Sequence, residues 1–171
     1  MAYYVDVYSP ETYEAFGKSD RTVSGFRPRQ HNAAHRVVKG DALICYMIGL
    51  SRWIGVLRVE AGPYSDRRPI FHPSVDPFTL RFKVRAEVWL PLDQTIPIHE
   101  IGVWKSLSFT RHLPQSSTAW TGKVRTSLVH LPDADGRFLE SLLRKQASAG
   151  RSHPVDLARY NKLLAAEVLR R

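Results

Sequence analysis

Cysteine occurs once in these 171 residues, at Cys45, inside the apolar run ALICYMI. One thiol excludes an intramolecular disulfide framework and a cysteine-paired zinc site. Its setting reads as a small packed hydrophobe, because a nucleophilic thiolate needs an exposed, electropositive place. No apolar stretch approaches the roughly 18 residues that span a bilayer. The opening MAYYVDVYSPE has neither the basic start nor the long apolar centre of a secretory signal. A reducing cytoplasmic setting is expected.

The sequence also lacks a P-loop, a G-x-G-x-x-G, a G-x-S-x-G and a carboxylate pair at a defined spacing. The seven histidines offer no replacement. His31 and His35 have helical i, i+4 spacing, but no acidic residue follows them in zinc-protease fashion. His72, His99, His112, His130 and His153 stand singly. No catalytic residue, metal ligand or cofactor is assigned, and an enzyme is not expected.

What the chain holds in surplus is positive charge. Lysine and arginine number 25 against 16 acidic residues, a net charge of +9. Neutralising phosphates with counterion release drives most non-specific nucleic-acid binding, so a polyanionic partner is implied. The surplus is uneven. From Ser141 onward seven basic residues face only Asp156 and Glu167.

Elements follow from periodicity. AYYVDVY alternates aromatic and β-branched residues and reads as a strand. Ser9-Pro10-Glu11 starts a helix: a capping serine, a proline in the first turn and an acid behind it. TVSGFRPRQ (residues 22–30) reads as a loop of glycine and arginine with Phe26 alone in it, and PRQHNAAHRV as a short helix. ALICYMI reads as a buried strand, and Gly49-Leu50-Ser51 turns it into a hairpin partner, RWIGVLRVEAG, which Gly62-Pro63 ends. Residues 64–77, with three prolines, read as a long loop. FTLRFKVRAEVWL alternates at length, placing Leu80, Phe82, Val84 and Ala86 on one face and Arg81, Lys83, Arg85 and Glu87 on the other. Residues 91–120 read as loop-rich around an apolar segment from Val103 to Phe109. KVRTSLVHL is expected as a last strand, and Asp133 as the cap of an amphipathic helix, DADGRFLESLLRKQ. ASAGRSHP reads as a linker before a terminal amphipathic helix. Mixed strands around short helices predict an α+β fold, a small mixed β-barrel with short peripheral helices and a C-terminal helix.

Aromatics recur beside basic or small polar residues: Phe26 with Arg27, Trp53 with Arg52, Phe71 with His72, and Trp120 in STAWTGKVR. This combination suits stacking of a flat base while donors hold its edge and the neighbouring phosphates. Phe26 itself admits two readings, a plug under its loop or a wall of a base pocket. A pocket that accepts an extruded base would gather such loops at a barrel mouth.

The order YYVDVYSPETYE, VSGFR, VVKGDALICYMIGLSRWIGVLRVEAGPY resembles the EVE domain, a PUA-like relative of the YTH readers of N6-methyladenine. The Gly40-Asp41 turn, Trp53-Ile54-Gly55-Val56, the Gly-Pro-Tyr step with Asp66 close behind, Ile70-Phe71, LSFTRHL and TAWTGKVRTSLVHL carry the likeness over about residues 2–145. The resemblance implies a PUA-like barrel over residues 1–148, followed by a linker and helix over 149–171. It implies a non-catalytic module that holds one modified nucleobase in an aromatic pocket. The expected base-binding residues are Ser24, Gly25, Phe26, Arg27, Trp53, Phe71, His72 and Trp120. Ser9, Thr121, Lys123 and Arg125 are expected at phosphates. YTH proteins place a tryptophan in the first loop, where this chain has Ser24 and Phe26. That departure favours the EVE branch and a modified cytosine such as 5-methylcytosine. The implied partner is DNA or RNA carrying a modified base, with no membrane; a protein partner such as a nuclease is left open. A small-molecule or nucleotide sensor using the same pocket is the alternative.

Overall fold

The computed structural model describes residues 1–71 and 77–169. Its strands are β1 (Tyr3–Tyr8), β2 (Val23–Phe26), β3 (Ala42–Met47), β4 (Arg52–Ser65), β5 (Leu80–Trp89), β6 (Ile96–Pro97) and β7 (His130–Leu131). They form one sheet in the order β2-β5-β4-β3-β1-β7, with β6 also paired to β4. β1 runs parallel to β3, and the other pairs are antiparallel. The helices α1 (Pro10–Lys18), α2 (His31–Ala34), α3 (Ile101–Trp104), α4 (Asp133–Ala149) and α5 (Leu157–Leu169) lie around it. The sheet curls into a half-barrel, a mixed α+β architecture of the expected class.

The curl divides the apolar side chains into two cores. One gathers Tyr3, Val5, Ile44 and Trp53 with Trp104 and Leu139; the other gathers Tyr8, Phe16, Phe26, Leu43 and Phe82. Successive strand residues point to opposite faces, so a strand with both faces covered reads as one apolar run. β3 is buried at all six positions for that reason. The hairpin of β3 with β4 forms as expected, Leu43 opposite Leu57 and Ile44 opposite Val56. Gly55 is required within it, because a Cβ there would sit 2.5 Å from the Val88 carbonyl oxygen of β5. Across the sheet, Arg58 bonds Glu87 at 2.6 Å and Glu140 at 2.5 Å, tying β4 and β5 to α4.

Several expectations give way. VSGFR is not a loop: Val23–Phe26 pairs antiparallel with Leu80–Lys83 as an edge strand. β4 continues beyond Gly62-Pro63 to Ser65, its register against β5 shifting at Val59/Ala61 and Ala61/Tyr64. Arg81 therefore does not join an outer charged stripe. It is 3% exposed, donates to the carbonyls of Phe78 and Arg68, and lies 3.7 Å from Asp66. Lys83 and Arg85 are exposed as expected. KVRTSLVHL is not a continuous strand. A 3-10 turn takes Thr121–Lys123, Leu128 adopts φ +66, and only His130–Leu131 pairs as a strand, with β1. α4 has Pro132 as its cap, with Asp133 as its first residue, and absorbs Ala147–Ala149 of the expected linker. α5 docks on α1, where Tyr160 donates to Glu14 at 2.9 Å.

Candidate nucleic-acid interface

Five separate segments meet around a cavity of about 230 Å³. The end of β1 and the start of α1 bring Val7, Ser9 and Thr12; β2 and the turn after it bring Gly25, Phe26, Arg27, Arg29 and Gln30. Ile48 follows β3, Phe78 precedes β5, and Arg125–Ser127 closes the ring. Two cross-links fix the last segment: the Gln30 amide donates to the Ser127 carbonyl at 2.8 Å, and the Val7 amide donates to the Ser127 hydroxyl at 2.7 Å.

Among the described residues, the charged side chains on the lining have one sign. Arg27, Arg29 and Arg125 are all exposed and line the cavity. Arg27 sets its guanidinium 5.7 Å from the Phe78 ring centroid, and Arg125 donates to the Thr121 hydroxyl at 3.3 Å. Ser9 caps α1 in a reciprocal box with Thr12, so the positive end of that helix faces the same space. Guanidinium forks and a helix N-terminus are the groups that bind phosphate oxygens best.

A sealed polar pair adjoins the lining residues Val7 and Gly25 in sequence without lining the cavity itself. Asp6 is 2% exposed and accepts from the Ser24 hydroxyl at 2.7 Å, while the Tyr8 hydroxyl lies 3.3 Å from the same Ser24 oxygen. Burial pushes the Asp6 carboxyl up to about 7, against the opposing pull of the Ser24 and Tyr8 hydrogen bonds. Burial likewise raises the thiol of Cys45, and the Asp6 charge raises it further.

The expected site residues separate into groups. Gly25, Phe26, Arg27, Ser9 and Arg125 meet at the cavity. Ser24 does not line it and is 1% exposed. Phe26 lines it yet is itself 1% exposed, its ring edge-on to Phe82 at 5.8 Å. Gly25 does not leave open room for a base. A Cβ there would meet Ile70 at 2.8 Å, Phe78 at 2.9 Å and Phe71 at 3.3 Å, so the segments flanking residues 72–76 rest on it. Phe71 is half-buried, edge-on to Phe78 at 5.4 Å. Trp53 lies away from the cavity, wholly enclosed in the first core and edge-on to Tyr46, with its indole nitrogen unpartnered. His72 falls outside the described residues. Lys123 is exposed on its 3-10 turn and lines neither this cavity nor its neighbour.

Trp120 and Thr121 line that neighbour, a second cavity of about 470 Å³ that shares Ile48 and Arg125 with the first. Sequence reasoning passes over Thr12, Arg29, Gln30, Ile48, Phe78 and Ser127. Arg29 and Gln30, three and four residues past Phe26, are the ones within reach of a sequence argument. The rest belong to the site only through chain reversals.

The chain folds as a YTH domain folds, within the PUA-like architecture. The Mmi1 YTH domain in complex with RNA matches with a TM-score of 0.60 at 10% identity, over 90% of this chain and 84% of that one. The Toxoplasma CPSF4 YTH domain in complex with a 7 mer m6A-modified RNA matches at 0.58 and 16% identity, over 84% and 91%. The Pho92 YTH domain in complex with m6A matches at 0.58 and 12% identity, over 84% and 83%. No family model matches the sequence, and no curated protein matches it. The likeness is one of fold.

Proposed function

We propose that this chain is a non-catalytic reader of a modified nucleobase in DNA or RNA, of the EVE branch of the fold, with a modified cytosine as its target. Residues 1–148 form the reading unit, and the linker and helix of residues 149–171 brace it through α1. The observation that carries the reading is the convergence of Arg27, Arg29 and Arg125 on one small cavity at the N-terminus of α1. Phosphates on those guanidiniums would present one base to the cavity, with Phe78 as the aromatic surface beside it. Ser24 supports cytosine over methyladenine, since the position near the YTH tryptophan is here a buried hydroxyl engaged with Asp6.

Single-stranded oligonucleotides that differ only in one central base test the reading, among them plain cytosine, 5-methylcytosine, adenine and N6-methyladenine in DNA and RNA. Titrated at two salt concentrations, one modified cytosine should bind tighter than its plain parent, and affinity should fall steeply with salt. Equal binding of all bases would overturn the reading. Salt-independent binding of a free nucleotide would replace it with a small-ligand sensor.

A further inference from the structure

The geometry points to the second cavity, between residues 46–51, His99 and residues 115–125, as a subsite for the base next in the strand to the one read; this rests on the reading above. Its size fits a planar ring. At about 470 Å³ it is roughly twice the first cavity, and it opens beside it across Ile48 and Arg125. Ile48 is 40% exposed, an apolar ridge between the two spaces. Among the described residues, Arg125 is the one Lys, Arg, Asp or Glu on the second cavity's lining, and it belongs to both linings. A phosphate joining two successive nucleotides would sit on that guanidinium, with one base falling to either side.

The second cavity has the chemistry of a base site rather than a phosphate site. Its aromatic wall is rigid. His99 stacks on Trp104 with 5.1 Å between centroids and 19° between planes, and Trp120 stands edge-on to both. Trp104 is buried, whereas His99 is exposed, so the imidazole presents its outer surface as a platform already backed by an indole. Trp120 is held by its indole N–H, which donates to the Ser117 carbonyl at 2.7 Å. The lining also holds neutral hydrogen-bonding side chains: Ser51, Gln115, Ser117, Thr118 and Thr121. Gln115 donates to the His99 carbonyl at 2.6 Å and so ties the 115–120 segment to the platform. Stacking with neutral donors and acceptors is how single-stranded bases are held.

The test uses the full chain and the tightest-bound oligonucleotide among those titrated for the reading, alongside copies with an abasic sugar on either side of the central base. Loss of one neighbouring base should weaken binding roughly 5- to 150-fold, the range for one stacked base. Thr118→Trp, at an exposed position, fills the cavity. It should weaken the intact strand by the same factor and leave the abasic strand unchanged; His99→Ala should act in the same sense. Abasic strands that bind like the intact one overturn the subsite, as does Thr118→Trp weakening both strands alike. If plain and modified strands bind equally, the reading above fails, while the abasic comparison still decides the subsite on the plain strand. Absence of binding by every strand overturns both.

Discussion

The Ser24 hydroxyl donates to the carboxyl of Asp6 at 2.7 Å, joining the edge strand β2 to β1 near the far end of the sheet order. Both residues are almost wholly buried. The Tyr8 hydroxyl completes the chain at 3.3 Å, and the Cys45 thiol shares an electrostatic interaction with Asp6. The pair holds β2 in place, and with it the backbone that carries Gly25 and Arg27.

That carboxyl makes stability depend on pH. Its folded value is about 7 against 3.8 for the free side chain. Below pH 4 both states hold the proton; between about 4 and 7 only the folded state does, so each unit of rising pH favours unfolding by about 1.4 kcal/mol. Above 7 both states are ionised and the loss is complete. Asp6→Asn lacks this slope. Urea unfolding at pH 5, 6, 7 and 8 should show the wild type losing stability relative to the variant up to about pH 7. Parallel curves would exclude the raised carboxyl.

Gly25→Ala should separate the cavity from the segments that rest on it. The new methyl would stand 2.9 Å from the Phe78 Cβ, an atom fixed near the backbone and unable to swing aside. Overpacking of this kind costs about 1–3 kcal/mol. Thermal melts should register that loss, and tryptic cleavage after Arg67 should quicken as Ile70 and Phe71 lift. An unchanged melt with unchanged cleavage would show that the loop does not bear on Gly25.

Much of this architecture is legible in the sequence, and the exceptions have physical causes. The β3–β4 hairpin is readable because an apolar run, a short glycine-containing turn and an alternating partner are all local signals. β2 is not, because a four-residue strand containing serine and glycine has weak propensity, and its partner lies more than fifty residues on. Alternation alone points Arg81 outward, which register shifts in β4 and hydrogen bonds to the carbonyls of Phe78 and Arg68 override. At the site, Gly25, Arg27 and Arg125 are within reach as glycine and arginine near aromatics. Ile48 and Phe78 are not, since their role depends on where β3 ends and β5 begins.

Phe26 separates packing from recognition. At 1% exposure, edge-on to Phe82, it works chiefly as core. Phe26→Ala should cost about 3–5 kcal/mol of folding stability. Calorimetry gives that figure, and titration of the folded fraction gives affinity. A small stability loss with a large affinity loss would make Phe26 the wall of a base pocket instead.

The arginines at the mouth should act on the strand and not on the base. Arg27→Gln, Arg29→Gln and Arg125→Gln each remove one guanidinium exposed at the cavity. Taking one cation away from a phosphate weakens plain and modified strands by the same factor and makes the log–log salt dependence shallower by about 1. Lys83→Gln supplies the control, since Lys83 is exposed on β5 and lines neither cavity. It should leave the ratio of modified to plain affinity unchanged. Arg125 is distinct among the three, because it lies on both linings and its loss would also loosen the base beside the one read. Its variant should therefore show the larger drop on an intact strand, and only the drop of Arg27→Gln on a strand with an abasic neighbour. A loss of discrimination between modified and plain bases in Arg27→Gln or Arg29→Gln would place that guanidinium at the base edge rather than at a phosphate.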